Sequence, residues 1–265
     1  MNSDIVILIP HFNNLAGLKK SLNSIHFSSK LDVLIVDDGS IVKPTLEELQ
    51  KDFSGMLHLH LLFNDQNQGI EKTLNKGLAY IQSNMSCKYI ARLDCGDICD
   101  SNRFVKQKHF LDTNEEVYLL GSWVEFFYKD EAIYTYRAPA KHKDIVQNMY
   151  LKCSFIHPSV MFRTKALRKI GVYPLNYKAA EDYAFFFKFV KNYKTHILPE
   201  VLTFCELNPG GISRTKRTIQ QKSKIKVIKD NSSLSPYFVI GLIRNYTLLL
   251  LPYHVVAKAK ALFLR

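Results

Sequence analysis

Two aspartates follow a short apolar segment in the sequence YIARLDCGDICDSNRF, which runs from Tyr89 to Phe104. The apolar start of this segment predicts a buried strand that ends at Asp94, and Asp97 follows in the next turn. Ligands bind beyond the carboxyl ends of strands in open parallel sheets, where carboxylates can hold a cation or a sugar hydroxyl. We therefore expect Asp94 and Asp97 at the rim of a cleft; the alternative is an ordinary acidic loop.

The segments that must position these acids alternate between strand and helix patterns. Strands are predicted at IVILIP, LDVLIV, LHLHLLF and Tyr89–Asp94, and helices at 15–25, from Pro44 through Gln50, and at 70–83. Four strands separated by helices predict a parallel sheet with right-handed crossovers. The first strand is followed by PHFNN rather than GxGxxG, and no GxxxxGK[ST] phosphate loop is present, which argues against a dinucleotide-binding dehydrogenase.

The pattern changes after Phe104. We predict a helix through Asp112, antiparallel strands at YLLGSWVEFFY and AIYTYRA, a strand at IHPSVMFR (156–163), and a helix with Asp182 in its first turn. Further helices are predicted at 218–229, 237–251 and 254–264. The last two are apolar but interrupted by charges, so they either pack on the domain or lie in a membrane interface.

Composition narrows the class of protein. The 265 residues are 47% hydrophobic and 12% aromatic, which excludes a disordered chain. A formal net charge of +12 favours an anionic partner: nucleic acid, anionic lipid or nucleotide phosphate. The five cysteines have no repeating spacing, which is typical of a reducing compartment and argues against a zinc site. We expect no secretion signal and, because no run of 18 apolar residues occurs, no conventional membrane-spanning helix.

Six sequence blocks carry a family resemblance. In order they are IPHFNN, IVDDGS, NQGIEKTLNKGL, YIARLDCGDI, HPSVMFR and AEDYAFFFKF. Together they resemble glycosyltransferase family 2, from about Ile5 to Ser213. The resemblance implies an α/β fold of the GT-A nucleotide-binding type, with a mostly parallel central sheet flanked by helices. It implies a glycosyltransferase domain at 1–213, with a nucleotide-sugar half (1–100) and an acceptor half (101–213), followed by a basic and apolar helical extension (214–265).

The family transfers a sugar from a nucleotide diphosphate to an acceptor hydroxyl with inversion, and this chemistry requires a base for the acceptor proton. The resemblance assigns that role to the pair Glu181 and Asp182, with Asp182 favoured. From the sequence alone, both acids could equally be residues that complement the start of a helix.

The resemblance also assigns residues to the donor. They are Pro10, His11, Phe12, Asp37, Asp38, Asn67, Gly69, Lys72, Arg92 and Asp94. The alternative for Asp37 and Asp38 is a loop cap. We interpret Asn75 and Gly77 as helix-packing residues, and His157 is equally compatible with a structural and a functional role.

The chain departs from the family at the metal site. Relatives carry Asp-x-Asp where this chain has Asp94-Cys95-Gly96, and they often carry a histidine where this chain has Asn208. The resemblance implies a divalent metal, Mn²⁺ or Mg²⁺, held by Asp94 and Asp97, but the loss of two ligands predicts a weak or absent site. Arg214, Lys216 and Arg217 are alternative stabilisers of the diphosphate.

The resulting hypothesis is an enzyme that builds lipopolysaccharide or capsule at the inner face of the cytoplasmic membrane. It would use a nucleotide-sugar donor and a glycan or lipid-linked glycan acceptor, with peripheral membrane contact through 214–265. Two alternatives are a catalytically impaired nucleotide-sugar-binding module and a sugar nucleotidyltransferase. Nucleic-acid binding is disfavoured because the basic stretch lacks interleaved aromatic residues.

Overall fold

The computed structural model describes residues 4–53, 55, 57–129, 131–207 and 216–251. Its amino-terminal half consists of β1 (Ile5–His11), α1 (Leu15–Asn23), β2 (Leu31–Asp37), α2 (Leu46–Phe53), β3 (Leu57–Phe63), α3 (Ile70–Asn84) and β4 (Tyr89–Arg92). The four strands are parallel, in the order β3-β2-β1-β4. The alternating parallel arrangement predicted for this half is confirmed.

The first strand is apolar along its length because both of its faces are covered. Val6 and Leu8 pack into the cluster that contains the apolar residues of α3, whereas Ile5, Ile7 and Ile9 pack into the cluster that contains those of α1 and α2. The central strands therefore lie between two helical layers, and their carboxyl ends share one edge of the sheet.

Helix α2 begins later than predicted. Pro44 precedes the helix, and the hydroxyl of Thr45 accepts a hydrogen bond from the Glu48 amide at 3.2 Å. Thr45 thus satisfies one of the amides that a helix start leaves without an internal partner. The prediction that Pro44 occupies the first turn was wrong for this reason.

The second half adds β5 (Ile98–Cys99), α4 (Arg103–Thr113), β6 (Val117–Tyr128), β7 (Glu131–Tyr136), α5 (His142–Leu151), β8 (Met161–Arg163), α6 (Leu167–Ile170), α7 (Glu181–Asn192) and β9 (Lys194–Glu206). Strand β8 is antiparallel to both β4 and β6, and it joins the two halves into one sheet. Strand β6 also pairs with β7 in antiparallel fashion, as predicted, and with β9 in parallel fashion. The whole sheet is therefore mixed.

Strand β9 was not predicted from the sequence. Its pairing with β6 passes from Ser122 opposite Leu198 to Trp123 opposite Val201, so Pro199 and Glu200 have no partners in the ladder. Proline cannot donate a ladder hydrogen bond and is confined to edges and bulges. The bulge interrupts the alternation of apolar and polar residues by which a strand is recognised.

The segment 156–163 was predicted as one strand, and only its end is extended. His157–Ser159 form a 3₁₀ turn, in which both the amide and the hydroxyl of Ser159 donate to the Ile156 carbonyl. Pro158 lies inside this turn, where its missing amide proton costs nothing. The chain becomes extended only at β8, and the turn brings His157 to the end of β4.

Two helices follow the sheet: α8 (Arg217–Asp230) and α9 (Pro236–Leu250). Both agree with the predicted helices at 218–229 and 237–251, whereas the helix predicted at 254–264 lies outside the described residues. Helix α9 packs against α5 and α8. Within the described parts of the chain, no helix has the length and apolar character needed to cross a bilayer.

Candidate active site

The ends of β1 and β2 are joined by a histidine–aspartate pair. His11 Nδ1 donates to Asp37 Oδ1 at 2.7 Å, and His11 Nε2 accepts from the Asn14 amide at 3.2 Å. The second oxygen of Asp37 accepts from the Ser40 amide at 2.9 Å. Both side chains are buried, so this pair fixes the two loops that follow the strands.

Asp38 builds the next part of the same edge. Its Oδ1 accepts from the Asn64 side chain at 2.8 Å and from the Gln68 amide at 2.9 Å, and its Oδ2 accepts from the Gly69 amide at 3.0 Å. Gly69 has a φ of 93°, a conformation that favours glycine, and α3 begins directly after it. Asp38 therefore holds the loop before α3 in place.

Other residues assigned to the donor lie near the hydrogen bonds of His11, Asp37 and Asp38. Pro10 is buried in β1, whereas Phe12 exposes 46% of its surface. The side chains of Asn67 and Lys72 are exposed at the loop and in the first turn of α3. Phe12, Asn67 and Lys72 are thus accessible to a ligand at this edge.

Arg92 lies at the end of β4 and is fully buried. Its guanidinium donates to the Leu8 carbonyl, to Asp94 Oδ1 at 2.5 Å and, through Nε, to His157 Nε2 at 3.4 Å. The hydroxyl of Tyr173 also donates to His157 Nε2, at 2.8 Å. Arg92 therefore orients Asp94, while the exposed part of Asp94 faces the cleft.

His157 is held in its uncharged form by this arrangement. Burial and then the nearby Arg92 guanidinium lower the pKa of His157 to about 4. An uncharged imidazole keeps a lone pair on Nε2, which the Arg92 and Tyr173 donors share, whereas a protonated ring has no acceptor there. We interpret His157 as a positioning residue behind Arg92 and Asp94. Sequence reasoning missed Tyr173, for which no sequence pattern gave a signal.

Helix α7 begins with two acids, Glu181 and Asp182. Asp182 is half-buried, and its Oδ1 accepts from the Tyr183 amide at 2.7 Å. Glu181 is buried, and its Oε2 has no hydrogen-bond partner. Burial and then the charge of Asp182 raise the pKa of Glu181 to about 8, with smaller contributions from Glu71 and Asp94. Glu181 thus retains its proton at neutral pH.

The charges of Asp182, Glu71 and Asp94 all act on Glu181, so these four acids form one electrostatically coupled group. Asp38 does not belong to this group, because the loop amides occupy its oxygens. It is connected to the group through Gly69, at which a Cβ atom would lie 3.2 Å from Glu71 Oε2. Glu71 was missed from the sequence because its position depends on how α3 starts.

Asp97 and Gly96 lie on the side of α1. Gly96 has a φ of 103°, and its amide donates to Ser21 Oγ at 2.9 Å, so the chain conformation here favours glycine over an aspartate. Asp97 Oδ1 accepts from the Glu206 amide at 3.2 Å. Burial and then the Asp94 charge raise the pKa of Asp97 well above its usual range.

This donor set does not fit a divalent cation well. Asp94 is paired with Arg92, and Asp97 accepts a hydrogen bond from a backbone amide. In the part of the chain that the structure describes, no group of three His, Cys, Asp or Glu side chains could hold a metal ion. Asn208 and Arg214 lie outside that part.

Two of the basic residues suggested as substitutes for a metal, Lys216 and Arg217, lie within the described residues. Arg217 Nη2 donates to the Leu248 carbonyl at 2.6 Å and to the Leu251 carbonyl at 3.0 Å, so its guanidinium is directed at the end of α9. Lys216 is exposed just before α8. Arg217 therefore stabilises the packing of two helices.

Comparison with known proteins identifies the class. The family model described as Glycosyl transferase family 2 matches residues 6–171. A glycosyltransferase of Haemophilus influenzae, described as uncharacterized, is 30% identical over 204 residues, which cover 75% of this chain and 72% of that protein. The chain therefore belongs to glycosyl transferase family 2, and it is a nucleotide-sugar glycosyltransferase.

Two further relatives have more specific names. The amylovoran biosynthesis glycosyltransferase AmsE of Erwinia amylovora is 27% identical over 216 residues, which cover 80% of this chain and 79% of AmsE. An Escherichia coli protein named UDP-Gal:alpha-D-GlcNAc-diphosphoundecaprenol beta-1,3-galactosyltransferase is 28% identical over 180 residues, covering 66% of this chain and 62% of that protein. Relatives of this chain thus include enzymes of bacterial polysaccharide synthesis.

Solved structures show the fold. S. aureus TarS in complex with UDP-GlcNAc has a TM-score of 0.61 and 16% identity, covering 94% of this chain and 70% of the TarS chain. The mannosyltransferase PcManGT of Pyrobaculum calidifontis, in complex with GDP-Man and Mn²⁺, has a TM-score of 0.65 and 13% identity, covering 99% of this chain and 74% of its own. The GT-A fold predicted from the sequence is confirmed.

Proposed function

We propose that this chain is an inverting glycosyltransferase that moves a sugar from a nucleoside diphosphate to an acceptor hydroxyl in the synthesis of a bacterial surface polysaccharide. The observation that supports the proposal is that the charges of Asp182 and Asp94 both act on His157, which is bonded to Arg92 at the carboxyl end of β4. This is the edge at which α/β sheets bind their ligands.

Asp182 is the proposed general base. Its carboxylate takes the proton of the acceptor hydroxyl as the hydroxyl oxygen attacks the anomeric carbon from the face opposite the diphosphate. The bond between the anomeric carbon and the diphosphate oxygen breaks, and the diphosphate leaves with the electron pair. The Tyr183 amide at 2.7 Å fixes one oxygen of Asp182 during this step.

Glu181 is proposed to remain neutral beside the base. Burial and the neighbouring Asp182 charge raise its pKa, so Glu181 favours its protonated form at neutral pH. A protonated carboxyl can also donate a hydrogen bond to a sugar hydroxyl. This division of roles follows from the different burial of the two acids.

The donor is proposed to bind along the loops after β1, β2 and β3. Phe12 offers an exposed ring for stacking on the nucleobase, and Asn67 and Lys72 can contact the ribose or the diphosphate. Asp94, oriented by Arg92, is available to a hydroxyl of the donor. In this proposal His11, Asp37 and Asp38 shape the pocket from behind.

The acceptor is proposed to be a glycan or a lipid-linked glycan, because AmsE and the Escherichia coli relative bear the names of polysaccharide enzymes. The corresponding location is the inner face of the cytoplasmic membrane. Residues 1–213 would then form the catalytic domain, and 214–265 would form an extension in peripheral contact with the membrane.

A donor panel tests the proposal. UDP-, GDP- and dTDP-sugars are screened by thermal shift, with and without Mn²⁺, because a ligand that binds the folded state raises the unfolding temperature. The stabilising donor is then used in transfer assays with wild-type protein, Asp182→Asn and the exposed control Glu115→Gln. We expect transfer by wild type and the control alone; equal transfer by Asp182→Asn would contradict the proposed base.

A nucleotide-sugar-binding module without activity is the second candidate, favoured by Gly96 in place of a metal ligand. It predicts stabilisation by one donor with no transfer to any acceptor from membrane extracts. Transfer that proceeds in EDTA would exclude it and would also support metal-independent chemistry.

A further inference from the structure

Helix α9 carries a stripe of exposed apolar side chains, which we define as Val239, Ile240, Ile243, Tyr246 and Leu250. Between 41% and 82% of each side chain's surface is exposed. Val239, Ile243, Tyr246 and Leu250 follow one another at spacings of three or four residues, which puts them on one face of the helix, and Ile240 flanks them three residues before Ile243. Soluble proteins rarely leave so many large apolar groups together in water, which indicates an interaction surface.

The packing of α9 fixes the direction in which the stripe faces. On the opposite side, Gly241 lies so close to α5 that a Cβ atom there would be 2.2 Å from the Tyr150 carbonyl oxygen. The buried side chain of Asn245 donates to the Gly241 carbonyl at 2.8 Å and accepts from Gln221 Nε2 at 2.8 Å. Arg244 donates to the Leu151 carbonyl at 2.7 Å. The helix is thus attached by its small and polar side.

The surroundings of the stripe are strongly basic. Residues 216–251 contain one acid, Asp230, and seven bases: Lys216, Arg217, Lys222, Lys224, Lys226, Lys229 and Arg244. Lys229 lies directly beside the stripe, with its Nζ 5.4 Å from the centre of the Tyr246 ring. Lys222, Lys226 and Lys229 are exposed on α8. An apolar stripe flanked by lysines is typical of helices that lie in a lipid interface.

We infer that the stripe of α9 docks in the interface of an anionic bilayer, with the lysines of α8 contacting lipid headgroups. A second copy of the chain is a less favourable occupant, because pairing two stripes would bring together two segments that each carry seven bases against one acid, Asp230. Anionic lipid supplies the missing negative charge. This inference deepens the membrane location in the proposed function, and it concerns binding rather than transfer.

Vesicle co-sedimentation tests the inference. Wild-type protein is mixed with vesicles of phosphatidylcholine alone or of phosphatidylcholine with phosphatidylglycerol. Two variants probe the surface: Ile240→Gln with Ile243→Gln, and Lys222→Gln with Lys229→Gln. The matched control replaces two exposed apolar residues elsewhere, Val105→Gln with Ile133→Gln. Circular dichroism and the donor-induced thermal shift verify that each variant is folded.

We expect wild type and the control to sediment with the anionic vesicles and not with phosphatidylcholine alone. The isoleucine variant should lose about tenfold or more in partitioning, and the lysine variant should lose its dependence on phosphatidylglycerol. Equal sedimentation of the isoleucine variant would overturn the inference. So would a wild-type dimer in light scattering that the isoleucine variant converts to a monomer, because the stripe would then be a contact between copies.

The two proposals fail separately. Loss of vesicle binding with unchanged transfer to a water-soluble acceptor would support docking and leave the enzyme intact. Vesicle binding without transfer by any variant would retain the docking surface and contradict the proposed function.

Discussion

Substitution of Glu181 by glutamine tests the electrostatics of the acidic cleft. The carboxyl is buried with Oε2 unpaired, and its pKa is raised by burial and by Asp182 from 4.5 to about 8. For an acid with a raised folded pKa, the unfolded chain releases its proton first as the pH rises. Folding stability is therefore lost between the unfolded and the folded pKa, and Glu181→Gln should remove that loss.

The size of the effect follows from the unpaired oxygen. A buried group without a hydrogen-bond partner costs about 1–3 kcal/mol, and a charged one costs more. We therefore expect Glu181→Gln to be at least about 2 kcal/mol more stable than wild type above pH 8, where the wild-type side chain ionises. Below pH 4.5, where both side chains are neutral, the two proteins should be nearly equal. For a chain of this length, 2 kcal/mol corresponds to roughly 4–8 °C in unfolding temperature.

The assay is the unfolding temperature of wild type, Glu181→Gln and Glu115→Gln across this pH range. Glu115 is exposed in a loop, so its variant controls for the general effect of removing one acid. The gap between Glu181→Gln and wild type should open with rising pH, whereas the control should remain parallel to wild type. Parallel curves for both variants would refute a protonated Glu181.

Three further outcomes follow from the site and the packing. Asp182→Asn should lower kcat by about 10²–10⁴ while the donor-induced thermal shift stays unchanged, because the base is lost and donor contacts remain; unchanged turnover would contradict this. Gly241→Val should lower stability by about 1–3 kcal/mol in urea unfolding, because its Cβ would lie 2.2 Å from the Tyr150 carbonyl oxygen; an unaltered midpoint would show that α9 can move. Gly96→Asp should lower the free energy of unfolding by about 1–2 kcal/mol, because the φ of 103° disfavours a side chain, and Mn²⁺ should not stabilise the variant. Stabilisation of this variant by Mn²⁺ would contradict the conclusion that these residues do not fit a divalent cation.

Much of the fold was predictable because the parallel strands are buried on both faces. Short continuous apolar runs such as IVILIP and LDVLIV are typical of strands buried on both faces. The polar and acidic residues that follow them indicate where the strands end. Strand β9 was not predictable, since Pro199 and Glu200 leave the ladder and break the pattern. The predictions at Pro44 and Pro158 were wrong for a related reason. Proline is compatible with several local conformations, and the hydrogen bonds of neighbouring residues determine which one forms.

The sequence indicated candidate residues for the site, but not the contacts that these residues make. Asp37 and Asp38 occur where a ligand-binding acid would, yet backbone amides and His11 occupy their oxygens. These hydrogen bonds join loops that are distant in the sequence, so the local spacing of residues does not predict them. Glu71 and Tyr173 were missed for the same reason. The start of α3 determines the position of Glu71, and the buried Tyr173 hydroxyl contacts His157 from a distant loop.

Asp38 accepts hydrogen bonds from the Gln68 and Gly69 amides, so it fixes the backbone of this loop without involving the loop's side chains. The contacts are to main-chain atoms, and the side chains of 65–68 remain exposed. Substitutions can therefore change these side chains, which the proposed function places beside the donor, while the contacts of Asp38 keep the same backbone path.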